Sequence, residues 1–315
     1  MIRARYVWLF VGVVLSTHIG CKKEIDQFVP VQEAVDFDFS SEFSDIRDTL
    51  GYKIEGDDWN IVYTPKGTAF ILKPGMFEFT DGSSCSCETV NVQIIEVAEK
   101  RDLLLHNTPT VSDNALLATA GAYHISAAFQ GRQLQLIDYE QICFVLPSKK
   151  LEEGMELFYG SQSRNRFSWT PASVISGSQS YVKKGEWLID SSWIVGYECF
   201  SDNMDWLGVH KFISDGTENQ TCVKLNEFFT EDNTVIFAIF NDQKAMVRLD
   251  YEANKGFCTQ NLPEGSSVRF VGIAKRDDTI YDLANETARI NADHLQTLSF
   301  MPVPLSDLKS FLLAL

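Results

Sequence analysis

Histidine is scarce in this chain, with five in 315 residues, and the short motifs that carry catalysis are missing with it. No Gly-x-Ser-x-Gly elbow positions a nucleophile, no His-Glu-x-x-His pair offers a zinc site, and no glycine-rich loop leads into a helix to cradle phosphate. His106, His124, His210 and His294 are scattered and define neither a base nor a ligand set. His106, in Leu105-His106-Asn107-Thr108-Pro109, reads as a solvated turn residue. Carboxylates that could pair, such as Glu88, Glu96, Glu152, Glu153 and Asp205, have separations that sequence does not give. Asp57-Asp58 and Asp202-Asn203 with Asp205 lack the spacing and glycine of a calcium loop and read as turn residues. The chain is therefore expected to use no metal and no cofactor.

Basic residues are also in short supply, 27 Lys and Arg against 43 Asp and Glu, for a formal net charge of −16. The acidic excess is spread along the chain, so phosphate backbones are repelled and nucleic-acid binding is excluded as a leading function. Long apolar runs are absent too. The stretch from Tyr6 to about Ser16 falls short of the roughly twenty residues that a helix needs to cross about 30 Å of hydrocarbon.

What is present begins with Arg3 and Arg5, that apolar stretch, and Ile19-Gly20-Cys21-Lys22-Lys23. A small residue directly before a cysteine resembles a bacterial lipoprotein signal, residues 1–20 being the signal peptide. The resemblance implies that the Cys21 sulfur takes a diacylglycerol, that the peptide is cut before it, and that the new amino terminus is acylated. Ordinary secretion is the competing reading, because His18 stands at the third position before the cysteine, where lipoproteins usually carry Leu. Lys22 and Lys23 replace the Asp that retains some lipoproteins in the inner membrane. The expected location is the cell envelope, at the outer membrane, on its periplasmic or surface face.

Six further cysteines remain: Cys85, Cys87, Cys143, Cys199, Cys222 and Cys258. An even number in an exported chain permits disulfides. Cys85 and Cys87, in a polar loop with one residue between them, are expected to pair with distant cysteines or not at all.

From residue 21 to 54 the chain reads as an acidic tether, with a short alternation at Val35-Asp36-Phe37-Asp38-Phe39. From Trp59 strand signals follow one another closely. They are Asn60 to Thr64, Thr68 to Lys73, Phe77 with Phe79, and Val90 to Val97 with Val90, Val92 and Ile94 on one face. Ala122 to Phe129 and Arg132 to Leu136 flank a hairpin turn at Gln130-Gly131, and Ile142 to Leu146 ends at Pro147. Many short strands between Gly and Pro turns imply a sandwich or barrel. The order Gly67-Thr68, Pro74, Phe77, Gly82, Val90 to Val97, Asp102-Leu103-Leu104, Pro109-Thr110, Ser112 and Gly121 resembles the ZU5-like β domain of Bacteroidetes-type envelope lipoproteins, over residues 55–148. Some such domains cut themselves at a His-Phe-Ser sequence; His124-Ile125-Ser126 departs from that at its middle residue and reads as ordinary strand.

Residues 149–186, richer in Ser, Gly and charge, read as a connector pinned to the first domain by its aromatics. Residues 187–315 read as a second, immunoglobulin-like β-sandwich, with buried strand Val235 to Phe240 and returning strands at Ala245 to Leu249 and Val268 to Ala274. Leu308, Phe311, Leu312 and Leu315 share one face of a short C-terminal helix capped by Ser306, for docking on its own domain or in a partner's groove. The expected fold is all-β, two β-sandwich domains and a short C-terminal helix. The expected function is protein binding, by a lipid-anchored accessory or scaffold of an outer-membrane or surface assembly, with another envelope protein as partner. A hydrolase acting on glycan or peptide, or a ligand-capturing partner of an outer-membrane transporter, are the alternatives. Trp169, Trp193 and Trp206 are the candidate binding aromatics for a sugar-stacking groove.

A Cys21→Ser protein is expected to leave the membrane fraction and appear in the soluble one. If it still sediments with membranes after a carbonate wash, lipidation at Cys21 is ruled out.

Overall fold

A computed structural model describes residues 37–113, 115–163, 166–189, 191–213 and 219–315. Cys21 and the leader lie outside the described residues. In chain order the strands of the first sandwich are β1 (Leu50–Glu55), β2 (Asn60–Tyr63), β3 (Ala69–Leu72), β4 (Phe77–Phe79), β5 (Thr89–Val97), β6 (Val111–Ser112) and β7 (Ala115–Phe129). They continue with β8 (Arg132–Leu136), β9 (Ile142–Pro147), β10 (Glu156–Ser163), β11 (Arg166–Pro171), β12 (Tyr181–Ile189), β13 (Ser192–Ser201) and β14 (Asp205–Phe212). One sheet has the order β1-β5-β7-β14-β10-β11, with β8 on the end of β7, β4 on β8 and the short β6 on β7; the facing sheet runs β12-β13-β9-β3-β2. Val90, Val92 and Ile94 bury one face of β5 as their spacing requires, against Phe70, Phe144 and Tyr197 of the other sheet. The hairpin at Gln130-Gly131 joins β7 to β8, both turn residues having positive φ, 50° and 80°, the geometry of a tight primed turn.

Three expectations are corrected here. Residues 149–186 are no connector: β10 and β11 pair with each other, and β10 pairs with β14, inside the first sandwich. Leu157, Phe158 and Tyr159 of β10 and Phe167 and Trp169 of β11 are buried, the latter pair alternating with Ser and Thr and the former followed by Gly-Ser-Gln-Ser, so that the stretch looks polar in sequence. Residues 187–212 likewise belong to the first sandwich, since β13 pairs with β9 and β14 with β7. The stretch 55–148 thus supplies only part of each sheet. Finally, the tether ends early: Phe37, Phe39 and Phe43 are buried, around helix α1 (Phe39–Glu42), whose N-terminus Asp38 caps through Ser40 N–H.

The second sandwich is built from β15 (Thr221–Val223), β16 (Thr234–Phe240), β17 (Met246–Glu252), β18 (Gly256–Thr259), β19 (Ser267–Lys275), β20 (Ile280–Arg289), β21 (Leu295–Gln296) and β22 (Met301–Pro304). They form one sheet in the order β21-β15-β18-β17-β16-β19-β20-β22, folded over a core of Ile236, Ala238, Phe240, Leu249, Phe257 and Phe270. Every residue of β16 is buried. Its alternate side chains Val235, Phe237 and Ile239 enter a different core at the junction of the two sandwiches, with Val97, Ala122, Phe158 and Trp169 of the first and Phe37, Phe39 and Phe43.

Two more helices close that junction. Helix α2 (Lys100–Leu105) opens with a capping box of Glu99 and Asp102 and buries Leu103, Leu104 and Leu105. Helix α3 (Leu305–Leu313) is the C-terminal helix, and it docks on its own chain through Leu308 and Leu312. Pro304, not Ser306, occupies its cap position. Backbone hydrogen bonds cross the junction as well, from Thr110 N–H to Met246 O at 2.8 Å and from Thr119 N–H to Lys244 O at 3.1 Å.

Cysteine pairing departs from expectation, since Cys85 pairs with Cys87 in its loop, while Cys222 of β15 joins Cys258 of the adjacent β18. Cys143 and Cys199 are buried free thiols on neighbouring strands. Cys199 faces the sandwich core beside Phe144, and Cys143, one register step along, faces the other side of the sheet.

Phe43→Ala removes a ring 5.0 Å from Phe39 and 6.1 Å from Tyr281, in the junction core. The expected loss is about 3–5 kcal/mol, measured by urea unfolding, with the two sandwiches unfolding in one transition. A loss below about 1 kcal/mol, or two separate transitions, contradicts a shared core.

Candidate functional site

A cleft of about 1120 Å³ lies where the two sandwiches meet. Its existence follows from small residues: β7 crosses its floor as Ala118-Thr119-Ala120, which leaves the backbone low. Strand β9 ends at Pro147, which has no N–H to continue the ladder, and the chain turns there with Ser148 N–H bonded to Val195 O at 2.9 Å. The Ser148 hydroxyl donates to Lys150 O at 2.8 Å and holds Lys149 and Lys150 on the rim. The opposite wall is the turn Asp242-Gln243-Lys244 between β16 and β17, tied down where Lys244 Nζ donates to Ala120 O at 3.3 Å. Leu146, Met155, Val195, Tyr197 and Ile213 add an apolar lining.

Charge in the cleft is distributed unevenly. Glu152 is held between Lys211 at 2.5 Å and Lys150 at 3.3 Å, and both lysines keep its carboxyl below the usual range, Lys211 most strongly. Glu96 accepts from the Thr64 hydroxyl at 2.6 Å, the Thr68 hydroxyl at 3.4 Å and Lys66 N–H at 3.3 Å, and so pins the β2–β3 turn. Burial still pushes its pKa up, against those bonds. Lys66, Lys149 and Lys244 stand in no ion pair among the described residues. Lys66 also borders two smaller hollows, of about 500 and 510 Å³, towards α2 and the C-terminal residue.

The three tryptophans do not form a groove. Trp169 is buried, 1% exposed, with its indole N–H donating to Pro109 O at 3.0 Å. Trp206 packs against it, ring centroids 6.4 Å apart, and against Phe167. Trp193 lies on the other sheet and is 69% exposed, opposite Leu188, which is 59% exposed. Both sit on an arm formed by the β12–β13 hairpin, which runs past the end of β9: Gly196 is the last residue of β13 paired with it, at Pro147. A Cβ on Gly196 would stand 1.9 Å from Leu146 O, so only glycine permits this crossing. The arm's other face, Trp187, Ile189 and Ile194, packs on Ala69 and Val145. Val195 links the exposed face of the arm to the cleft. The arm was legible as apolar strands; the cleft was not, because its lining comes from distant segments between Lys66 and Lys244.

The remaining polar candidates are engaged structurally. Asp202 accepts from the Tyr159 hydroxyl at 2.5 Å, the Ser180 hydroxyl at 2.9 Å and Gln179 N–H at 2.6 Å, fastening the chain before β12 to the β13–β14 turn. Asp205 pairs with His124 Nε2 at 2.9 Å, with Trp206 against the ring. Among the described residues no cluster of three or more His, Cys, Asp or Glu is arranged to hold a metal ion. His106 is not solvated as its turn position suggests; burial and the nearby Arg47 lower its pKa to about 4. His210, wholly buried against Trp169 at 4.4 Å, falls to about 3 through burial alone, and neither ring nitrogen has a hydrogen-bond partner.

Fold and site together define an all-β protein of two fused sandwiches with a lysine-rimmed junction cleft beside an exposed apolar arm. No family model, curated protein or solved structure matches the chain.

The two depressed histidines set a pH dependence. Below about pH 6.5 the unfolded chain binds protons that the folded one refuses, so stability is full above that pH and is lost as pH falls toward about 4 for His106 and about 3 for His210. Each imidazole contributes a slope of about 1.4 kcal/mol per pH unit in that window. His210→Leu is expected to remove one such increment between pH 6 and pH 5 in urea unfolding, and an unchanged slope would refute the assignment.

Proposed function

We propose that this is a lipid-anchored protein of the bacterial cell envelope that acts by binding another protein, as an accessory or scaffold of an outer-membrane or surface assembly. Membership of the ZU5-like lipoprotein group belongs to the same reading. The anchor is Cys21, on the strength of Ile19-Gly20-Cys21 after a short apolar run. The observation that carries binding is the β12–β13 arm. It holds Leu188 and Trp193 in solvent on one face, while on the other Trp187, Ile189 and Ile194 cluster with Ala69 and Val145 of neighbouring strands in the same sheet. A large exposed Trp beside an aliphatic side chain is the composition of an interface anchor, and a rigid support lowers the ordering cost of using it.

Because both side chains are exposed, Leu188→Ser/Trp193→Ser is expected to keep the melting temperature of the parent. It is also expected to lose a stoichiometric partner that the lipidated parent retains in a pull-down from detergent-solubilised outer membranes. A parent that purifies as a clean monomer and hydrolyses peptide or glycan overturns the reading in favour of an enzyme.

A further inference from the structure

We infer that the junction cleft captures an acidic, partly apolar polypeptide segment, an inference that rests on the protein-binding reading and names the chemistry of what is bound. The first observation is electrostatic. In a chain of net charge −16, three lysines from three separate turns, Lys66, Lys149 and Lys244, converge on one concavity with no salt bridge among the described residues, although Lys66 is near enough to Glu96 to favour its charged form. Three of the acids that share the cleft are engaged already, Glu152 by two other lysines, Glu96 by two hydroxyls and an N–H, and Glu99 by the capping box of α2, while the fourth, Asp242, stands in the same turn as Lys244. The lining lysines Lys66, Lys149, Lys150, Lys211 and Lys244 outnumber these acids, so the cleft offers a ligand ammonium groups in excess, and these select carboxylates.

The second observation is the lining between the lysines. Met155, Val195 and Ile213 are aliphatic, and the one aromatic ring, Tyr197, is fully buried. A carboxylated sugar would find no open flat ring to stack on, whereas leucine- or valine-like side chains would bury against this lining. Val195 continues into the exposed face of the arm, so a segment lying in the cleft can run on to Trp193 without leaving the surface.

The test is fluorescence anisotropy on the full mature protein, which needs neither the membrane nor the natural partner. The probe is a fluorescein-labelled dodecapeptide, Glu-Leu-Glu-Ser repeated three times. Its control has Lys in place of Glu, and polygalacturonate serves as an anionic-glycan competitor. Lys66→Glu/Lys149→Glu alters two exposed turn residues, and Lys224→Glu places the same change outside the cleft. The acidic peptide is expected to bind, to weaken at least tenfold in the double variant and again at 0.5 M salt, and to be unaffected by Lys224→Glu. The lysine peptide is expected not to bind, and polygalacturonate not to displace the probe at equal carboxylate concentration. Absence of binding, equal affinity in the double variant, or displacement by polygalacturonate overturns the inference. If that happens while the pull-down still yields a stoichiometric partner, the partner docks elsewhere and the protein-binding reading stands.

Discussion

Strand β16 has no polar face, and the architecture depends on covering both of its sides. Ile236, Ala238 and Phe240 are covered by the strand's own sandwich, which leaves Val235, Phe237 and Ile239 in need of a second layer. The first sandwich, the aromatic turn around Phe39 and the helices α2 and α3 supply it. An apolar strand face left in water forfeits roughly 1.5–3 kcal/mol for each large side chain, so separating the sandwiches would expose a surface neither could tolerate. The two walls of the cleft are consequently held at a fixed spacing, and a ligand entering it does not have to order them.

Local patterns were legible in the sequence wherever one chain segment determined its own structure. Val90, Val92 and Ile94 gave a half-buried strand, Val235 to Phe240 a doubly buried one, Gln130-Gly131 a hairpin, and Leu308 with Leu312 an apolar helix face. Pairing between remote segments was not legible. That β14 lies beside β7, with Trp206 opposite His124, is a contact across some eighty residues and leaves no local mark. The division into domains erred for the same reason, because β11 carries its apolar residues singly between polar ones, β10 has only the short run Leu157-Phe158-Tyr159, and their role appears only when β14 is alongside. Of the three tryptophans, Trp169 is buried and Trp206 is half-buried against it, whereas Trp193 reaches solvent.

The acidic surface and the cationic cleft are compatible because they act over different ranges. At physiological ionic strength charges more than about 8 Å apart are largely screened, so the spread of carboxylates matters for solubility and for slowing encounters with other acidic bodies. Inside the cleft a ligand carboxylate meets ammonium groups at contact distance, where apolar neighbours reduce the screening. Global repulsion and local attraction together would discriminate against acidic surfaces that cannot enter the cleft.

Burial of Phe37, Phe39 and Phe43 also has a consequence for motion at a membrane. Those rings are locked in the junction, and in the sequence Phe37 stands sixteen residues after Cys21. At a maximum of about 3.3–3.6 Å per residue, the covalent chain cannot place Phe37 more than about 60 Å from that cysteine. A lipid on Cys21 would therefore hold the junction within that distance of the bilayer surface, whatever path the intervening chain takes.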